Sequence, residues 1–118
     1  MKHRYYINGD GEQTRDFTFV DNAVQINVKG MLTDNEEAFN KVYNVAVGEY
    51  FSVNYLYNAC AKQLNSDWKP THREPRAGDI RNSLADISLA EKMLGYKPVK
   101  KFEEGLIETI EFFKKIYS

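Results

Sequence analysis

Apolar residues recur every three or four positions in four separate stretches of this sequence, and that helical period limits the possible folds more than any other feature. It predicts helices near residues 20–32, 52–65, 87–94 and 102–117. The first stretch carries Val20, Val24, Val28 and Met31 at this spacing, and the last carries Phe102, Leu106, Ile110, Phe113 and Tyr117. Both sets are expected to form buried faces.

Residues expected at the helix ends support this division. Ser52 is a suitable N-cap for the second helix, and Ser88 with Glu91 has the spacing of a capping box for the third. Gly95 is a suitable C-cap for that third helix, and Gly30 followed by Thr33, Asp34 and Asn35 is expected to end the first. The acidic residues within 33–40 then belong to an exposed loop.

Short runs rich in aromatic and β-branched residues predict the strands. Residues 4–8 (RYYIN) predict a strand, 15–20 (RDFTFV) an extended piece, and 71–74 a short strand. Residues 41–47 (KVYNVAV) are apolar enough to predict a strand buried on both faces, as in a parallel sheet. We therefore expect an α/β protein: one small mixed domain over residues 1–118, with about three short strands and long ligand-facing loops.

Composition excludes several classes of function. The 16 Lys and Arg residues nearly balance the 17 Asp and Glu residues, which argues against a general nucleic-acid or anionic-membrane binder. The chain has no membrane-spanning apolar run and no signal peptide, and we expect a cytoplasmic protein. Cys60 is the single cysteine, expected to be a core side chain, and His3 and His72 are the only histidines, so disulfide and zinc scaffolds are excluded.

Two catalytic patterns occur in the sequence but do not fit their usual settings. Gly9 and Gly11 resemble the start of a dinucleotide-binding turn, but a second extended segment follows them instead of a helix. Tyr96 and Lys100 have the spacing of the acid/base pair of short-chain dehydrogenases, but Pro98 prevents a regular helical turn there. We therefore predict no catalytic, cofactor-binding or metal-binding residue in this chain.

The arginines are the best candidates for a binding site. None of the five falls in a predicted helix; Arg73, Arg76 and Arg81 lie within nine residues, and Arg15 follows the glycine turn. Guanidinium groups suit phosphate oxygens, and Asp79 could accept hydrogen bonds from ribose hydroxyls. Structural ion pairs, such as Asp79 with Arg81, are the alternative, and the residues alone leave both open.

Five segments in one order carry a resemblance to a known family. They are GDGEQTRDF at residues 9–17, YNVAVG at 43–48, REPRAGDI at 73–80, SLADIS at 83–88 and LGYKP at 94–98. The chain resembles the C-terminal third of the NAD-dependent epimerase/dehydratase family, the extended short-chain dehydrogenases. Within that family it is most similar to the UDP-N-acetylglucosamine and UDP-glucose 4-epimerases of bacterial polysaccharide biosynthesis.

The resemblance assigns roles in binding a UDP-sugar. It implies that Arg15 and Arg76 contact the diphosphate and that Asp79 holds the uridine ribose, which agrees with the chemistry of these side chains. The strand containing Tyr5 and Tyr6 matches the one that lies along the uracil.

Ser83 matches the position whose size decides whether an N-acetyl group on the sugar is admitted. A small serine there favours N-acetylhexosamine substrates. The expected ligand is therefore UDP-N-acetylglucosamine or UDP-glucose.

The family's N-terminal Rossmann domain, which binds NAD and carries the catalytic tyrosine, has no counterpart in this sequence. The resemblance therefore implies a truncated chain, beginning at Met1-Lys2-His3, that is inactive alone because C4 epimerisation needs NAD and a general base. A fragment of a sugar-nucleotide dehydratase or decarboxylase, or a catalytically dead self-associating module, are the alternatives. Apolar surface meant for the missing domain predicts a homo-oligomer or a sticky monomer.

Overall fold

The computed structural model describes residues 4–118. The predictions that involve Met1-Lys2-His3 therefore lie outside the described residues. The chain forms two compact units, each built from two separate stretches. The strand unit comprises Met1–Arg15 and Tyr50–Ser83, and the helical unit comprises Asp16–Glu49 and Leu84–Ser118.

All four predicted helices are present, with ends within two residues of those expected. In chain order the elements are β1 (Tyr6–Asn8), β2 (Thr14–Arg15), α1 (Val20–Leu32), a 3-10 turn (Glu36–Ala38), β3 (Phe51–Ser52), α2 (Val53–Gln63), β4 (Thr71–Arg73), α3 (Ser88–Leu94) and α4 (Phe102–Tyr117). The α/β fold class is confirmed, with four short strands in the described residues instead of about three.

The strand unit holds two small sheets. β1 and β4 are parallel, with Asn8 opposite Arg73, and β2 and β3 are antiparallel, with Arg15 opposite Phe51. The strands predicted over residues 4–8 and 71–74 are thus confirmed in shorter form. The extended piece predicted over 15–20 is paired as a strand only at Arg15; Phe19 is extended without pairing, and the prediction is wrong at Val20, where α1 begins.

Helix α2 begins as predicted, since Ser52 Oγ accepts a hydrogen bond from Tyr55 N at 3.0 Å. No residue of this helix is fully buried. The prediction that Cys60 is a core residue is therefore wrong: it is half-buried on the wall of an open groove that α2 shares with β1. Desolvation still raises the pKa of the Cys60 thiol, which favours the unreactive protonated form.

The helical unit is centred on Ile26, Ala90 and Tyr96, all at least 95% buried. The Tyr96 hydroxyl donates to Ala46 O at 2.6 Å, so the ring is buried with its polar tip satisfied. Asn22, also fully buried, joins α1 to the segment that precedes α4. The buried Asn22 amide and the buried Tyr96 hydroxyl thus bind backbone groups of segments outside the helices.

The prediction of a strand over residues 41–47 is wrong. The segment is irregular with a bend at Ala46, no strand in residues 4–118 pairs with it, and Val42 is 91% exposed. Its far end is held by Asp16, whose carboxylate accepts from Val47 N at 3.1 Å and Gly48 N at 2.8 Å. The residues have strand propensity, but a ladder needs a neighbouring strand, and the described part of the chain does not provide one.

The apolar stripe predicted to bury one face of α1 is exposed. Val20, Val24, Val28 and Met31 are 42–76% exposed, whereas Asn22 and Ile26 on another face are buried. The face predicted for the last helix is confirmed over its first half, where Phe102 and Ile110 are buried, but Tyr117 near its end is 82% exposed. Helical spacing correctly placed both helices but showed the covered face only in part of the last one.

Three local predictions also need correction. Gly30 does not end α1, which continues to Leu32. The loop 33–40 is not wholly exposed, because it contains the 3-10 turn with Ala38 buried. Ser88 is the first residue of α3 and not its cap; Asp86 Oδ1 accepts from Ser88 N at 2.9 Å instead. Gly95 is confirmed as the C-cap, with a left-handed φ of 64°.

Candidate functional site

The glycine turn between β1 and β2 is held by the start of α2. Asn54 Nδ2 donates to Asp10 O at 2.9 Å and to Glu12 Oε1 at 2.6 Å. Gly9 and Gly11 both have positive φ, 71° and 78°, which side chains other than glycine rarely adopt. A Cβ on Gly11 would lie 2.0 Å from Asn54 Oδ1, so this position requires glycine for space as well as for conformation.

Residues 74–82, which we call the arginine loop, are tied to the glycine turn by an ion pair. Arg81 Nη1 donates to Asp10 Oδ1 at 2.7 Å and Arg81 Nη2 to Asp10 Oδ2 at 3.0 Å. The hydrogen bond from Arg81 is the main cause that lowers the pKa of Asp10 to about 2. Because folding lowers this pKa, the pair stabilises the fold at pH above about 3.8 and loses that contribution as the pH falls to about 2.

The end of the arginine loop runs beside β2. Thr14 N donates to Arg81 O at 2.8 Å, and Ser83 N donates to Thr14 O at 3.2 Å. Thr14 and Asn82 form a parallel bridge, and their side chains are joined by a 3.1 Å hydrogen bond. Ser83 is therefore fixed next to the residue that precedes Arg15.

The structure brings Arg15 and Asp79 into contact across 64 positions of sequence. Arg15 Nη2 donates to Asp79 Oδ1 at 2.6 Å, while Arg15 Nη1 donates to Thr14 O at 2.6 Å. Less than a third of either side chain is exposed. The alternative that paired Asp79 with Arg81 is wrong, because Arg81 binds Asp10.

Arg76 lies in the same β-turn as Asp79. Asp79 N donates to Arg76 O at 3.2 Å, and Gly78 between them has a φ of 75°. The ends of a β-turn lie within about 7 Å at their Cα atoms, so Arg76 starts close to the carboxylate that contacts Arg15. Arg76 itself is exposed. The turn thus places Arg76 near Asp79 along the backbone, and the ion pair joins Asp79 to Arg15.

Tyr5 and Tyr6 contact other residues of the strand unit. The Arg73 guanidinium lies 5.2 Å from the centre of the Tyr6 ring, and Arg73 Nε donates to Asn8 Oδ1 at 2.6 Å. The Tyr5 ring lies 5.3 Å from the Trp68 ring. These contacts are with Arg73 and Trp68, not with the Arg15–Asp79 pair, and both tyrosines remain nearly half-exposed.

Sequence reasoning missed Asp10 and Asn54, which organise the glycine turn, and gave Arg73 and Arg81 no individual role. The sequence offered one signal for Asp10, which is an acidic residue between two glycines, while most of the arginines cluster in another part of the chain. Such a residue is a natural partner for a guanidinium, but sequence does not show which arginine it meets.

The described residues do not fit the NAD site that the family resemblance implies. The glycine turn leads into β2, so it does not place a helix N-terminus at a phosphate. Tyr96 lies after α3 and is fully buried with its hydroxyl bonded to Ala46, so it does not form a helical pair with Lys100. Within residues 4–118 there is also no acidic, histidine and cysteine cluster that could hold a metal.

The model of the family described as GDP-mannose 4,6 dehydratase matches residues 1–109. The chain belongs to this family. The recognition of the NAD-dependent epimerase/dehydratase family from five sequence segments is thereby confirmed.

Relatives within the family include 4-epimerases of sugar nucleotides. The chain is 34% identical to a UDP-glucose 4-epimerase of Mycolicibacterium smegmatis over 92% of its length and 34% of that protein. It is 35% identical to the structure of a UDP-glucose 4-epimerase of Thermotoga maritima with UDP-glucose, with a TM-score of 0.90 over 98% of this chain and 36% of that one. A UDP-N-acetylglucosamine 4-epimerase of Methanobrevibacter ruminantium, in complex with UDP-N-acetylmuramic acid, is 38% identical with a TM-score of 0.85, over 96% of this chain and 35% of that one.

The chain thus spans about a third of the length of the relatives it matches. Among residues 4–118, no helix is both long and apolar enough to cross a membrane.

Proposed function

We propose that residues 1–118 form the UDP-sugar-binding part of an NAD-dependent UDP-N-acetylglucosamine or UDP-glucose 4-epimerase, and that this part is inactive by itself. The observation that carries the proposal is the contact between Arg15 and Asp79, with Arg76 on the same turn as Asp79. The contact joins two side chains with chemistry suited to a nucleoside diphosphate from distant stretches of sequence, and the backbone of the third begins three residues before Asp79.

The roles follow from the donors and acceptors of each side chain. Arg15 and Arg76 supply guanidinium groups, which bind phosphate oxygens through paired N–H donors. Asp79 is an acceptor, and a ribose offers hydroxyl donors. Since the ribose is joined directly to the diphosphate, a binding site needs its acceptor close to its guanidinium groups, as Asp79 is to Arg15.

The remaining parts of the ligand are assigned with support from the resemblance. Tyr5 and Tyr6 would lie along the uracil, and their half-exposed rings, at the start of β1 and just before it, offer faces for stacking. Ser83, next to Thr14 at the end of the arginine loop, would face the sugar. Its small side chain favours an N-acetyl group.

Inactivity of this part alone follows from the chemistry of C4 epimerisation, which requires hydride transfer to NAD and a general base. The described residues fit neither the dinucleotide turn nor the helical tyrosine–lysine pair. A cytoplasmic location belongs to the same proposal.

A sugar-nucleotide dehydratase is the second candidate, favoured by the description of the matching family. Both reactions oxidise C4 and use the same nucleotide contacts, so this part of the chain does not distinguish them. A 4-keto-6-deoxy product from a longer chain containing these residues would favour the dehydratase, and a C4 epimer would favour the epimerase.

The direct test is UDP binding by the 118-residue chain. We expect Arg76→Ala to weaken UDP binding about tenfold or more in calorimetry, because a hydrogen bond to a charged phosphate is lost. Lys62→Ala, which removes one positive charge from exposed α2, is the matched control and should bind UDP like the parent chain. Equal binding by Arg76→Ala and the parent chain would remove Arg76 from the site.

Self-association is supported by the exposed apolar stripe of α1. Four residues of that stripe are 42–76% exposed, which is unusual for a helix face of this length. We expect oligomers in sedimentation velocity at increasing concentration, reduced by Val24→Glu and unaffected by Gln63→Glu, which adds the same charge at an exposed position at the end of α2. A parent chain that sediments as a monomer throughout would contradict this.

A further inference from the structure

We propose that Asp79 has a second role: its charge makes the site reject free phosphate and pyrophosphate while admitting nucleoside diphosphates. This inference rests on the proposed function and specifies its ligand more narrowly. Asp79 would then be a specificity-determining residue as well as a ribose ligand.

The geometry places a negative charge directly on the predicted anion ligand. Asp79 Oδ1 lies 2.6 Å from Arg15 Nη2, and Arg15 Nη1 is occupied by Thr14 O at 2.6 Å. Both terminal nitrogens of the Arg15 guanidinium, which a phosphate would use, therefore already donate to oxygen acceptors. A free anion that approaches Arg15 must compete with both of them.

Asp79 is held in this position by the backbone. It closes the turn that begins at Arg76, and Arg81, two residues later, is anchored to Asp10 by two hydrogen bonds. With less than a third of either side chain exposed, solvent screens the Arg15–Asp79 pair less than a fully exposed pair. The carboxylate is thus a fixed charge and not one that swings freely out of the way.

The same carboxylate has the opposite effect on a nucleotide. Inorganic phosphate and pyrophosphate bring negative charge alone, so Asp79 repels them from Arg15. A nucleoside diphosphate also brings ribose hydroxyls, which donate hydrogen bonds to the carboxylate. Discrimination between two ligands can come from repulsion of the wrong one as well as attraction of the right one, and Asp79 supplies both.

The test compares pyrophosphate and UDP as probes for binding to the parent chain, Asp79→Asn and Asp79→Ala. We expect both variants to bind pyrophosphate about tenfold more tightly than the parent and to bind UDP more weakly. The alanine variant shows whether loss of the negative charge is sufficient for tighter pyrophosphate binding, because the amide of asparagine adds a hydrogen-bond donor that could itself contact the anion. Glu74→Gln is the matched control, because it removes the same charge from an exposed residue of the arginine loop.

The outcomes separate this inference from the proposed function. Tighter pyrophosphate binding and weaker UDP binding by both Asp79 variants, but not by Glu74→Gln, supports the inference. If the parent chain binds no UDP, the proposed function fails and the admission of nucleoside diphosphates fails with it, whereas a gain in pyrophosphate binding by the Asp79 variants alone still supports repulsion by Asp79. An equal gain in Glu74→Gln would show an effect of net charge and overturn it. Unchanged or undetectable pyrophosphate binding in the Asp79 variants would also overturn it, whatever the affinity for UDP; thermal melting of each variant shows that the compared chains are folded.

Discussion

Replacing Asn22 with leucine should destabilise the protein by about 3 kcal/mol or more in urea unfolding. The side chain is fully buried and serves three backbone groups. Its Oδ1 accepts from Val99 N at 2.7 Å and Lys100 N at 3.2 Å, and its Nδ2 donates to Lys100 O at 2.8 Å. Leucine has a similar volume but leaves all three groups without a partner, so the segment before α4 loses its attachment to α1.

Asn27 provides the matched control on the same helix. It is exposed, and its amide donates only to Ala23 O one turn earlier at 2.7 Å. Asn27→Leu should therefore change the free energy of unfolding by about 0.5 kcal/mol or less. If both substitutions lowered the free energy of unfolding by similar amounts, Asn22 would contribute no more to stability than a surface asparagine.

Gly11→Ala should destabilise the protein by about 2 kcal/mol and weaken UDP binding together. The residue has a φ of 78°, where alanine costs about 1–2 kcal/mol. The added methyl would also displace Asn54, whose amide holds Asp10 and Glu12. Because Asp10 anchors Arg81, movement of the turn should reach the arginine loop.

The same substitution at Gly30 should act in the opposite direction. Gly30 lies within α1, has no positive φ and has open space where a Cβ would be. Gly30→Ala should raise stability by about 0.5–1 kcal/mol, because alanine is the better helix former. Urea unfolding of both variants checks the sign. If Gly11→Ala were as stable as the parent chain, the glycine turn would not depend on its left-handed backbone.

The helices were predictable because the spacing of apolar residues within each stretch of sequence indicates a helix. Strand pairing and the buried face of a helix were not predictable in this way. Val42 shows the difference: its run favours a strand, but pairing depends on a neighbour that residues 4–118 do not provide. Likewise Val24 lies on the apolar face of α1 by its spacing, yet that face is exposed and Ile26 is buried. Tertiary contacts decide both features, and a local pattern does not contain them.

The candidate site was likewise predictable from the sequence only in part. Side-chain chemistry pointed to four arginines and Asp79, the family resemblance selected Arg15 and Arg76 among them, and the structure brings Arg15 to Asp79. Their roles in binding remain predictions. The sequence did not show that Asp10 would take Arg81, because ion pairs between residues 64 and 71 positions apart depend on how the backbone returns to the glycine turn.

The interleaving of the two units determines when each can form as the chain is synthesised. Residues up to 15 must wait for 50–83 before the strand unit is whole, and residues 16–49 must wait for 84–118. When α2 has just emerged from the ribosome, neither unit is therefore complete. Completion of both units only after late-emerging residues have left the ribosome is the consequence of this order of segments.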